Sequence, residues 1–160
     1  MERPASPREA PVTEVLFYHL ERQPLDKVLP SLIERTLERG WRAVIQAGTP
    51  ERVAALNTLL WTYKDESFLP HGEACDGHAE SQPVYLTTEP DNPNGATVRF
   101  VVDGARFSAF DGYARLVYLF DGHDDAAKDD ARATWKLAKA AGCTVTYWQQ
   151  SPQGRWEKKA

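Results

Sequence analysis

Hydrophobic and polar positions along this chain follow two alternating periods. Val15-Leu16-Phe17-Tyr18-His19-Leu20 is β-branched and aromatic with no helical spacing, and reads as a buried strand. From Leu25 to Arg39 the apolar positions Val28, Leu29, Leu32, Ile33 and Leu37 recur at helical spacing until Gly40, with Pro30 marking a start or a kink. Arg42 to Ala47 reads as a second short strand. Thr49 then offers an N-cap hydroxyl and Pro50 a preset first helical residue, opening a helix to about Tyr63. Lys64 to Gln82 is a charged, Gly- and His-bearing loop, and Pro83 to Thr88 and Ala96 to Val102 are strands flanking a Pro/Asn turn region. Leu116-Val117-Tyr118-Leu119-Phe120 is the strongest buried strand; Asp121 to Ala141 reads as helix, ended by Gly142, and Thr144 to Trp148 as a last strand. Such alternation predicts an α/β fold, a three-layer Rossmann-like sandwich with a mainly parallel sheet.

Length divides this plan into three stretches. Residues 1–12, polar and proline-bearing, are expected to be a flexible leader; residues 13–150 one α/β domain; residues 151–160 a basic extension. The leader has no apolar stretch of the signal-peptide kind, and no run of eighteen apolar residues offers a membrane span. Cys75 and Cys143 are too few and too far apart for a disulfide framework and are expected as reduced thiols. A net charge of −4 argues against a sequence-independent grip on nucleic acid by the chain as a whole, although a local basic patch can hide in the sum.

A Rossmann-like sheet calls for a nucleotide signature, and none is present. Glu21-Arg22-Gln23-Pro24 follows the first strand where a glycine cluster would let pyrophosphate approach backbone amides, and no Gly-Lys-Ser/Thr loop occurs. His71, Cys75 and His78 combine zinc-compatible donors, with no fourth ligand at a convincing spacing; a solvated loop, where histidines are common, is the plainer account. Asp121, with Asp124 and Asp125 nearby, ends the strongest strand, where open α/β sheets place ligands. The plainer account is an Asp-Gly turn and acids favoured by the helix dipole. No nucleophile elbow or acid–base set stands out, so no catalytic residues, metal or cofactor are assigned.

Two surfaces invite partners instead. On the helix after Thr49, Val53, Leu56, Leu59, Leu60 and Tyr63 form one stripe, while Trp61 points roughly 80° to the other side of Val53. Phe68 stands seven residues on among Lys64, Asp65, Glu66 and Ser67, so the pair suggests a protein interface. On the late helix the expected core stripe is Ala127, Ala131, Thr134, Leu137, Ala138 and Ala141. Lys128, Arg132, Lys136 and Lys139 fall roughly 100–180° from Ala127, with Trp135 at the border. A basic stripe flanked by an aromatic suits an acidic peptide with an apolar terminus.

Leu59-Leu60-Trp61, then Glu66-Ser67-Phe68-Leu69-Pro70-His71, then Arg132, Trp135-Lys136 and Ala141-Gly142 resemble the chi subunit family of bacterial DNA polymerase III, over about Thr13 to Trp148. The resemblance implies a non-catalytic, cytoplasmic replication subunit that touches DNA only indirectly. It also implies that Arg132, Trp135 and Lys136 hold the acidic, Phe-terminated tail of single-stranded-DNA-binding protein. Tyr is more usual in the family at the Trp135 position. By the same resemblance Trp61 and Phe68 face a psi subunit linking the protein to the clamp loader. Two other readings stay open: a phosphate- or nucleotide-processing enzyme centred on Asp121, and a metal-binding regulator using the His71/Cys75/His78 loop.

Overall fold

The computed structural model describes residues 13–21, 25–62, 72–73, 83–92, 94–107, 110, 113–153 and 155–159, without the side chains of residues 61, 62, 72 and 73. In chain order these form β1 (Glu14–Leu20), α1 (Leu25–Glu38), β2 (Ala43–Gln46), α2 (Pro50–Thr62), β3 (Gly72–Glu73), β4 (Val84–Thr87), β5 (Val98–Val101), β6 (Arg115–Asp121), α3 (Asp125–Ala140), β7 (Thr144–Gln150) and β8 (Trp156–Lys158). The strands make one eight-stranded sheet ordered β3-β4-β2-β5-β6-β1-β7-β8, parallel throughout except for the β7–β8 pair.

Alternation along each strand sorts side chains to two faces. Leu16 and Leu20 of β1 join Ile45, Leu86, Phe100, Val117 and Leu119 beneath α1 (Val28, Leu29, Ile33) and α2 (Val53, Leu56, Leu60). Val15 and Phe17 point the other way and join Val101, Leu116 and Tyr118 beneath Ala138 of α3. Three layers follow, as the alternation of strand and helix predicts. Thr49 caps α2, its hydroxyl accepting from the Arg52 amide at 3.2 Å. Helix α1 runs through Pro30, which is buried in it rather than starting it.

Three places differ from the sequence expectation. Inside the stretch expected as a loop from Lys64 to Gln82, β3 pairs Gly72 with Tyr85 and Glu73 with Leu86 of β4, a two-residue strand too short to show a period. Helix α3 starts at Asp125, not Asp121, because Asp121 still belongs to β6 and its carboxylate accepts from the His123 amide at 2.8 Å, turning the chain first. The sheet also runs beyond residue 150: Trp156–Lys158 returns antiparallel, pairing Trp148 with Lys158 and Gln150 with Trp156. A three-residue strand whose partner lies across a tight turn is too short to show a period of its own.

Candidate functional site: the α3–β7 face

Helix α3 is fixed at both ends by its own sequence. The Asp124 carboxylate accepts from the Ala126 and Ala127 amides at 3.0 and 3.2 Å, and Asp125 adds negative charge to the first turn. At the far end Gly142 takes φ +85°, a left-handed turn that a side chain would strain, and its amide reaches the Lys139 carbonyl at 3.1 Å.

Parallel, in-register pairing places Tyr118 (β6), Phe17 (β1) and Tyr147 (β7) side by side on the face that α3 covers. Phe17 stacks on Tyr118 with centroids 5.1 Å apart and on Tyr147 at 6.4 Å. Trp135 lies over this row, 5.7 Å from Phe17 and 5.9 Å from Tyr147. The helix is therefore turned toward Trp135. Ala131, Trp135 and Ala138 face the sheet, whereas Leu137, expected in the core, is 53% exposed, and Ala141 is exposed too. Alanines on several sides of α3 allow more than one rotation, and the aromatic row selects the one that lands the indole.

Around the half-buried indole stand the cations. Lys139 Nζ is 5.3 Å from the Trp135 ring centroid, in cation–π range. Arg132 and Lys136 are exposed on the outer side. Lys128 pairs with Asp125 at 3.3 Å and Arg132 with Asp129 at 3.7 Å, one turn apart in each case. Among the described residues no carboxylate pairs with Lys136 or Lys139, so positive charge is least compensated at the C-terminal half, beside Trp135.

Tyr147 and His19 extend this face along the sheet, and neither stood out in the sequence. His19 Nδ1 is 2.6 Å from the Tyr147 hydroxyl and Nε2 is 3.2 Å from Glu21 Oε1. Burial raises the Tyr147 hydroxyl pKa, opposed by the charge of Arg132, so the phenol beside Nδ1 stays protonated. Burial also lowers the His19 pKa, against the pull of Glu21, and Lys128 adds to the lowering. The imidazole leaves no room beside it: a Cβ at Gly122 would overlap His19. The signal for Tyr147 was the alternation Val145, Tyr147 against Thr146, Trp148, legible only once β7 is known to pair with β1.

The remaining sequence candidates fare differently. Trp61 lies in α2, but its side chain, together with all of Phe68, His71, Cys75 and His78, falls outside the described residues. Asp121 and Asp124 are engaged in the turn and the cap, and Asp125 pairs with Lys128. Asp121 and Asp124 border a crevice of about 860 Å³ where β1 and β6 send their chains to opposite faces, the usual ligand position of such sheets. Glu21, Asp26, Asp103 and Asp130 line it as well, so a phosphate entering there would meet mostly carboxylates.

Comparison with known proteins gives the same direction. The family model described as "DNA polymerase III chi subunit, HolC" matches residues 12–146. A curated protein of Rickettsia prowazekii (strain Madrid E), "Probable DNA polymerase III subunit chi", is 28% identical over 149 residues, covering 90% of each chain. With a three-layer sandwich, a carboxylate-lined crevice at the switch point and a match across most of its length, the chain belongs to the DNA polymerase III chi subunit family, accessory subunits in DNA replication.

Proposed function

We propose that this subunit works as a non-catalytic adaptor, binding the acidic C-terminal tail of single-stranded-DNA-binding protein on the α3–β7 face. The observation that carries this reading is the grouping of Arg132, Lys136 and Lys139 around a half-buried Trp135, with the two lysines unpaired among the described residues. Cations attract an acidic tail from a distance, and the indole offers an apolar terminal side chain a surface to cover. Such a protein presents rigid side chains and needs no general acid or base. A psi-like clamp-loader partner is assigned to Trp61 and Phe68, so that the subunit links the tail to the polymerase assembly in the bacterial cytoplasm.

The test is a titration of the full chain with a peptide ending in Asp-Asp and a terminal Phe. Binding should weaken with added salt and fail when the Phe is deleted. Equal affinity with and without the Phe would remove Trp135 from the site. Nucleotide hydrolysis or nuclease turnover that survives purification and disappears in Asp121→Asn would replace the adaptor by an enzyme.

A further inference from the structure

A second concave surface lies on the opposite face of the sheet, between α1 and the β7–β8 edge. It encloses about 480 Å³, within the roughly 300–1,000 Å³ usual for ligand sites. Lys27 and Arg35 reach it from α1, Arg39 from the turn that follows and Arg115 from β6, and none of the described lining residues is acidic, on a chain of net charge −4. Glu14 pairs with Arg115 at 2.9 Å, which leaves Lys27, Arg35 and Arg39 as the main positive field.

The other lining is aromatic. Trp41 has the guanidinium of Arg39 at 5.1 Å from its ring centroid and that of Arg115 at 5.3 Å. Tyr18 meets Trp156 edge to face at 5.0 Å. Trp148, beside them on β7, has its indole N–H buried with no hydrogen-bond partner among the described residues. Trp148 and Trp156 lie beyond residue 146, where the family match stops, so one wall of the groove is built outside the matched span.

We propose that this groove binds a short segment of single-stranded nucleic acid, its phosphates on Lys27, Arg35 and Arg39 and its bases against Trp41 and Trp156. Flat rings interleaved with cations form a stacking platform in a positive channel, which accepts any base because every base has a π-face. An acidic peptide fits less well. An extended peptide docks by pairing its backbone with a sheet edge, whereas the floor here is the sheet's side-chain face, built by Leu16, Val117 and Phe100, whose strands are already paired on both sides.

The experiment follows tryptophan fluorescence of the full chain titrated with oligothymidylate of about 12 nucleotides in about 50 mM salt. Quenching should saturate, and the affinity should fall with salt with a log–log slope of about −2, as expected for three phosphate contacts on a single strand. Arg35→Glu combined with Arg39→Glu should weaken binding by about tenfold or more, leaving the melting temperature and affinity for the Phe-terminated peptide unchanged. Trp156→Ala should weaken it by about tenfold through lost stacking. No binding in low salt, or binding indifferent to the Arg35/Arg39 pair, overturns the proposal. So does binding lost in Arg132→Glu with Lys136→Glu instead, or a groove that takes an acidic peptide and not the oligonucleotide.

Discussion

Trp135 on α3 and Phe17 on β1 lie ring to ring at 5.7 Å with their planes tilted by 51°, so the aromatic assigned to tail recognition is also a contact between helix and sheet. Truncation to Ala should cost stability as well as binding. The loss should be about 2–3 kcal/mol, short of the roughly 3–5 kcal/mol of a fully buried ring. Trp135→Tyr should keep most of both. Urea denaturation of the two variants checks the first part, and peptide titration in the absence of urea the second.

Charge reversal separates binding from folding. Arg132 and Lys136 are exposed, so Arg132→Glu and Lys136→Glu should each leave stability within about 0.5 kcal/mol of wild type. Affinity for the acidic tail should nevertheless fall by about tenfold, because attraction becomes repulsion. Calorimetric titration decides it. Wild-type affinity in both variants would make the stripe a solvated helix face and nothing more.

His19 makes stability depend on pH. Burial lowers its pKa in the folded protein, so the unfolded chain takes up the proton first as pH falls. The contribution is fully present above the ordinary histidine value of about 6.5 and is lost as pH drops below it toward the folded-state value. Melting temperatures at pH 7.5 down to about 5.5 should thus fall more steeply for the wild type than for His19→Gln. Parallel curves would assign the pH dependence to other groups.

Arg99 is an ion held without a counter-ion among its described partners. It is 0% exposed, and its guanidinium donates to Gln46 Oε1 at 3.1 and 2.6 Å, to the Asp91 and Glu89 carbonyls and to the Tyr113 hydroxyl, with Phe107 4.3 Å away. Gln46→Leu would strand two of those N–H groups and should cost about 3 kcal/mol or more. Arg99→Met with Gln46→Leu should recover part of that loss in a double-mutant cycle, since both polar partners are then gone.

For the second interface the expected behaviour is the reverse of Trp135. Trp61→Ala and Phe68→Ala should leave melting temperature nearly unchanged and weaken capture of a clamp-loader partner, with tail binding intact. A loss of about 3–5 kcal/mol on either truncation would mark that ring as core.

The residue pattern was enough for the layered α/β plan, because burial on both faces of a parallel sheet demands runs such as Val15 to Leu20 and Leu116 to Phe120, and helices between them demand a 3.6-residue period. Caps were equally legible: Thr49 acts within one turn, through hydrogen bonds that depend only on neighbours in sequence. The rotation of α3 was not, since its alanines are small enough for several faces and only the in-register row Tyr118–Phe17–Tyr147 decides that Trp135 turns inward and Leu137 outward. Likewise Lys27, Arg35, Arg39, Trp41 and Trp156 are scattered through the chain and form one groove because sheet order sets α1 opposite the β7–β8 edge. Local chemistry is written in adjacent residues; a surface shared by distant segments exists only after the strands have chosen their neighbours.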